Sequence, residues 1–284
     1  MADNRYIFGW PDRADTATFS GGNWQLPLSN AQSPFLSQVA RSADTSLAST
    51  QFVVNFGQPR FIDTMAIVKH NFSLQALVRW QLFTDAGLTS QMWDSQWQQA
   101  WPSIFNTYDL EWEDDNWWFG QVLPQQMPSI PPLSVCLAPA PEPALCALVS
   151  INDVNNAATY LQFGKICMCK GYRTQLNMDY GATLTINDPS IIDTAQDGTE
   201  LPERRSKYRE WAFKLGSMSL TEGNLLMSML LDRGVTNGFL FIEDPTDAPG
   251  MLLRSAYVRF KELAALEKAK LNQLGYTHKI KELV

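Results

Sequence analysis

Histidine occurs only twice in the 284 residues, at His70 and His278. That scarcity leaves little imidazole for acid–base work, and neither an H-E-x-x-H nor a G-x-S-x-G pattern is present to organise it. Basic residues are also short. Lys and Arg number 22 against 29 Asp and Glu, a net charge of −7, which argues against a partner made of phosphates such as nucleic acid. No apolar run reaches the ~20 residues that a membrane-spanning helix needs. The opening MADNRYIFGWPDRAD lacks the basic-then-apolar order of a secretory signal, so synthesis in the cytosol is expected.

What is present suits a folded, β-leaning protein of one or two domains: 45% hydrophobic, 12% aromatic and only 18% charged. Phe52, Val54 and Phe56 alternate, Gly57-Gln58-Pro59 interrupts, and Phe61 to Val68 is apolar almost throughout. Two strands are predicted, the second covered on both faces. Ala76, Val78, Trp80 and Leu82 alternate against Arg79 and Gln81, a half-buried strand. His70-Asn71-Phe72-Ser73 lies between these runs, where Asn and Ser favour a turn; a structural corner is expected there. Trp93, Trp97 and Trp101 recur at helical spacing, but the surrounding Gly, Ser, Asp and Pro favour strand and loop. Pro128 to Pro143 is proline-rich and predicted as a surface loop. Tyr160 to Lys170 reads as a strand.

Three groups of residues invite a chemical reading. Cys136, Cys146, Cys167 and Cys169 lie within one window. Zinc or an iron–sulfur cluster is one use for them. The spacing is not C-x-x-C, and Cys167 and Cys169 fall in an alternating run, so buried reduced thiols and no cofactor are expected. A Cys167–Cys169 disulfide is disfavoured because side chains two apart on a strand stand about 6.6 Å apart. Glu111, Glu113, Asp114 and Asp115 form either a solvated loop, a cation site or a carboxylate pair for glycoside hydrolysis. Trp112, Trp117 and Trp118 are either core or flat faces for a sugar ring. Arg204, Arg205 and Lys207 are either solvated or paired with a neighbouring subunit.

After Gly171 the composition shifts: Trp211 is the one remaining tryptophan. The expected division is 1–172 and 173–284. NDPSIIDTAQDGTELPER reads as a long polar loop and YREWAFKLG as a strand. Ser219-Leu220-Thr221-Glu222 is a capping-box pattern, Leu226, Met229 and Leu230 form a stripe, and Gly234 suits the helix end. Strands are expected at GFLFIEDP, SAYVRF and YTHKIKELV. KELAALEKAKL is helical in composition, with a strand–loop connection as the alternative.

FVVNFGQPRFIDTMAIVKHNFSLQALVRWQLFTDAG resembles the jelly-roll core of galactose-binding-like domains, a pattern that recurs in structural proteins of long-tailed bacteriophages. WDSQWQQAWP and ATYLQFGKICMCKGYRT have counterparts there. REWAFKLGSMSLTEGNLLMSMLLDRG and the terminal strand resemble the tail-tube-like β-sandwich of distal tail and baseplate proteins. The fold implied is mainly β: a galactose-binding-like jelly-roll β-sandwich followed by a tail-tube-like β-sandwich with one helix. The resemblance implies a non-enzymatic virion protein of the tail tip, assembling as a ring of six. Its expected partners are the tail tube protein, the baseplate hub and other tail-tip proteins. The rival reading is a carbohydrate-binding adhesin that contacts a host surface glycan through Trp112, Trp117 and Trp118.

Overall fold

Alternation and apolar runs place most of the strands, and the computed structural model describes residues 3–270 and 272–284. The chain is mainly β with few helices. It divides into two compact units, neither continuous in sequence: residues 1–173 with 239–256, and residues 174–238 with 257–284. The expected second segment, 173–284, is therefore interrupted by a return to the first unit.

The first unit contains β1 (Ile7–Gly9), β2 (Thr18–Ser20), β3 (Trp24–Leu26), β4 (Ala40–Ser42), a short helix α1 (Leu47–Thr50), β5 (Phe52–Val68), β6 (Leu77–Phe83), β7 (Gln91–Asp94), β8 (Gln98–Gln99), β9 (Leu133–Asn152), β10 (Gln162–Phe163) and β11 (Lys165–Cys169). A seven-stranded sheet runs β11-β5-β9-β6-β7, with β2 against β5 and β8 against β6, and a three-stranded sheet runs β10-β4-β3. The two face each other across aromatic rings. Phe52 stacks on Phe163 at 5.9 Å, and Trp24 meets both edge-on at 5.6 Å. This is a β-sandwich whose core is filled by Phe52, Val54, Met65, Ile67, Trp80 and Val149, all buried.

Two expectations about this sheet are corrected. Gly57-Gln58-Pro59 does not end a strand: β5 is continuous, Gly57 takes φ +73°, and the register slips between Asn55 and Arg60. The interruption is a bulge, which only a residue tolerant of positive φ absorbs cheaply. Pro128 to Pro143 is not a loop throughout, because β9 begins at Leu133. The register passes from Ile62↔Glu142 to Thr64↔Leu137, so residues 138–141 stand out of the ladder. Pro139 and Pro141 occupy that exposed excursion, where no backbone N–H is required.

The returning segment supplies β16 (Phe239–Ile242) and the helix α3 (Ala248–Arg254). β16 pairs antiparallel with β1, Ile7 to Ile242 and Phe8 to Phe241. Phe8 meets Phe239 edge-on at 5.3 Å and lies 5.6 Å from Phe241.

The second unit contains β12 (Thr183–Asn187), β13 (Ile191–Thr194), β14 (Glu200–Glu203), β15 (Tyr208–Ser219), the helix α2 (Leu220–Arg233), β17 (Ser255–Phe260, entering this unit at Tyr257), β18 (Glu267–Lys270) and β19 (Gln273–Glu282). β19 pairs with β17, β15 and β18, and β15 pairs in turn with β12. The helix starts where the capping box puts it. Ser219 Oγ accepts from the Glu222 N–H at 3.2 Å, and Glu222 Oε2 accepts from the Ser219 N–H at 3.0 Å. Gly234 follows at φ +54°. Leu226, Met229 and Leu230 are buried. Of KELAALEKAKL, residues 261–270 are the loop and β18, without a helix, and Leu271 lies outside the described residues. NDPSIIDTAQDGTELPER is not a loop but most of a hairpin, described below.

Candidate functional site

In the first unit the segment after Trp101 presents several exposed aromatic side chains. It is pinned at its base. Trp101 is buried and its Nε1 donates to the Phe72 carbonyl at 3.0 Å. Gln121 Nε2 donates to the Trp101 carbonyl at 2.7 Å, and Asn116 Nδ2 donates to the Gln121 carbonyl at 2.7 Å. Gly120, at φ +60°, lets the chain turn back: a Cβ there would lie 2.4 Å from the Phe105 carbonyl. Above this base Trp112 and Trp118 are 75% and 76% exposed. Tyr108 and Phe119 are exposed as well, and Trp117 meets Trp118 edge-on at 4.7 Å. Large apolar side chains held in water on an anchored loop mark a contact surface more often than a core. Tyr108 and Phe119 belong to this surface and were not singled out by the sequence pattern. The acidic Glu111, Glu113, Asp114 and Asp115 are all exposed on the same loop. Asp114 Oδ2 is used locally, accepting from the Glu111 N–H at 2.9 Å.

His70 sits in the corner between β5 and β6, buried, its ring stacked on Phe72 at 4.3 Å and edge-on to Trp101 at 5.3 Å. Its Nδ1 accepts the Phe72 N–H at 3.3 Å. Burial pushes its pKa down to about 3. Ser73 is turned away to Asp153, to which its backbone N–H and Oγ donate at 2.8 and 2.5 Å. The corner is a hydrogen-bonded turn.

The four cysteines are free and buried, and the fold distributes them. Cys136 and Cys146 lie on β9, Cys167 and Cys169 on β11, and β5 runs between the two strands. Cys136 is opposite Met65, which is opposite Met168, so it stands two strand spacings, about 10 Å, from the β11 pair, while Cys146 is opposite Asn55, much farther along β5. Burial raises the Cys136 thiol to about 12 and holds Cys167 well above its usual range. Among the described residues no group of three or more His, Cys, Asp or Glu side chains is arranged to hold a metal ion.

An open groove of about 580 Å³ runs beside Thr18 to Gly21, Trp24 and Leu28. Its most polar lining group, Gln32, already donates through Nε2 to the Ala14 and Ala17 carbonyls at 2.8 and 2.7 Å.

The second unit carries a different surface. β12 and β15 pair from Thr183↔Ala212 to Asn187↔Tyr208, and β13 and β14 continue outward from Ile191↔Glu203 to Thr194↔Glu200. The result is an arm of two strands closed by a turn at Ala195 to Thr199, with Gly198 at φ +85°. All eight residues of β13 and β14 are exposed, including Ile191, Ile192 and Leu201; Leu184 and Ile186 on β12 are exposed too. Of the predicted basic group, Arg205 pairs with Glu203 at 3.0 Å and Lys207 with Asp188 at 3.5 Å. Both pairs lie within the chain, at the waist of the arm. Arg204 is exposed beside them.

No family model matches the chain, and no curated protein matches it. Among solved structures it is similar to the family 32 carbohydrate-binding module of Clostridium perfringens NanJ in complex with galactose. There the TM-score is 0.35 at 12% identity, over 57% of this chain and 98% of that one. It is also similar to the lectin domain of lectinolysin complexed with Lewis B antigen, with a TM-score of 0.36 at 10% identity, over 58% and 98% of the two chains. A Streptococcus pneumoniae fucose-binding module, SpX-3, gives a TM-score of 0.35 at 8% identity, over 57% and 98%.

Proposed function

We propose that this chain is a non-enzymatic structural component that assembles with copies of itself through its second unit, as a ring at a phage tail tip. The observation that carries the assembly is the arm. A two-stranded ribbon is at best marginally stable in water, and β13 and β14 bury none of their eight residues. Ile191, Ile192 and Leu201 gain a covered environment only from another molecule. The tail-tip setting rests on the residue patterns that resemble distal tail and baseplate proteins, and with it come six copies, a tail tube neighbour and a baseplate neighbour. In this reading the protein works without metal or cofactor. Light scattering on the purified chain and electron microscopy of the same sample test it. Closed rings are expected; a chain that stays at 32.0 kDa at every concentration reached would overturn it.

A second reading concerns the first unit and is favoured by the exposed aromatic side chains Trp112, Trp118, Tyr108 and Phe119 on the anchored loop. In this reading the loop stacks on a host surface glycan. Trp112→Ala and Trp118→Ala should each lower glycan-array binding about tenfold, a loss of ~1.4 kcal/mol, with folding unchanged. Equal binding by parent and variants would sink the reading.

A further inference from the structure

One face of the second unit's sheet has the sign opposite to the chain's net charge of −7. Arg259 on β17 stands directly opposite Lys281 on β19. Beyond them Lys261 stands opposite Lys279, its N–H donating to the Lys279 carbonyl at 2.8 Å. The buried Val258, Phe260, Ile280 and Glu282 alternate with these four, so the cations share the face turned away from the core. Like charges directly opposite weaken a ladder, and here two such pairs lie side by side. Glu210 pairs with Lys261 at 2.9 Å and Glu262 with Lys279 at 2.6 Å. Among the described residues Arg259 and Lys281 have no carboxylate partner; Lys281 rests on the Tyr208 ring at 3.8 Å.

The arm of the same unit has the complementary pattern. Ile191 is opposite Glu203 and Asp193 is opposite Leu201, so these four side chains share one face. Asp193 and Glu203 lie on its diagonal, about 7–8 Å apart. Arg259 and Lys279 lie on a diagonal of the basic block, with the same spacing, as do Lys261 and Lys281. From 191 to 203 the arm carries Asp193, Asp197, Glu200 and Glu203 and no Lys or Arg. Within one chain the two surfaces do not meet. Glu203 pairs with Arg205 at 3.0 Å, and Asp193 makes no ion pair among the described residues. We infer that the arm of one copy seats on the Arg259–Lys281 block of another. Asp193 and Glu203 face the cations there, and Ile191 and Leu201 cover the aliphatic stems of the lysines. Sign and spacing match between two surfaces of the same chain, which makes a second copy the occupant. This rests on the assembly reading and deepens it by naming the receiving surface.

Two charge reversals test this in the full-length protein: Asp193→Lys with Glu203→Lys on the arm, and Arg259→Glu with Lys281→Glu on the block. Circular dichroism checks that each folds as the parent does. By light scattering the parent should be a multimer, and each variant alone a 32.0 kDa monomer, because like charge then meets like. Mixed together the two variants should associate again, since a basic arm meets an acidic block and an acidic arm a basic one. The parent's own association should also weaken about tenfold or more between about 0.1 and about 1 M salt, as the Debye length falls from about 10 to about 3 Å; that measurement requires no variant. Monomeric variants that stay apart when mixed, or a parent indifferent to salt, overturn the contact. Loss of association in the block variant alone points to an anionic partner of another kind and overturns it too. Variants that both keep the parent's multimer overturn it and leave the assembly reading standing. A parent of two chains whose association is lost and restored as described keeps the contact, exchanged between two copies, and overturns the ring. A parent that is monomeric throughout overturns both.

Discussion

Three buried titratable side chains contribute to the acid response of this protein with opposite signs. His70 and His278 are both buried, and desolvation lowers each pKa to about 3. An unfolded histidine titrates near 6.5, so below that pH the unfolded chain binds protons that the native chain refuses. Each histidine therefore removes stability as pH falls from about 6.5 toward 3, about 3 kcal/mol apiece by pH 4. Asp12 works the other way. Burial, with Asp15 nearby, raises its pKa above the usual carboxylate range, so the native state takes up a proton before the unfolded one. Stability regained from Asp12 appears as pH falls from the raised value toward about 3.9 and offsets part of the histidine loss. Asp12 Oδ1 accepts the Ala14 and Met168 N–H groups, both at 3.0 Å, and an asparagine oxygen can do the same. Asp12→Asn should therefore stabilise the protein at pH 7 by about 1–3 kcal/mol. It should also steepen the loss between pH 6 and 4. Urea unfolding across that range checks both signs; an unchanged or lower stability at pH 7 would be contrary to them.

At the scale of elements, the sequence is most readable where one side-chain pattern maps onto one hydrogen-bond pattern. The capping box at Ser219 and Glu222 and the β6 alternation through Val78, Trp80 and Leu82 are of this kind: local chemistry alone fixes them. The Trp93–Trp101 stretch is strand and loop as its punctuation suggests, with Trp101 buried. The misread elements share a cause. Proline and glycine in β5 and β9 signal local breaks, yet each strand continues because its long-range ladder partner persists beyond the bulge. Neither partner is visible in a window of ten residues. The arm reads as a loop in sequence because β13 and β14 bury no face and so lack the alternation by which a strand is recognised. For the candidate surface, tryptophan content points to Trp112, Trp117 and Trp118, but exposure depends on anchoring through Trp101 and Gln121 to the distant Phe72 and Leu74 carbonyls. That dependence also hid Tyr108 and Phe119.

For the whole molecule, the discontinuous division governs what can be cut. Residues 1–173 form most of the first unit, but β16, which completes it, comes from 239–242. Without that strand, Ile7 and Phe8, both fully buried in the intact chain, lose their cover, and the N–H and C=O groups of one edge of β1 lose their partners. A 1–173 fragment should therefore melt below the full chain, by about 10 °C or more if a few kcal/mol are lost, and should aggregate more readily. Circular dichroism melts of fragment and full chain test this. Equal melting temperatures would mean that β16 contributes nothing to the first unit.

The pairing of Gly9 with Leu240 also orders events during synthesis. At roughly 5–20 residues per second, translation of the intervening chain takes about 10–50 s. Throughout that interval β1 has emerged from the ribosome without the strand it pairs with. The first unit, although begun first, cannot close before residues 174–238 of the second have been made. β1 thus keeps an open sheet edge throughout the synthesis of the residues between it and β16. A holdase chaperone on the emerging chain would have its work at Tyr6, Ile7 and Phe8.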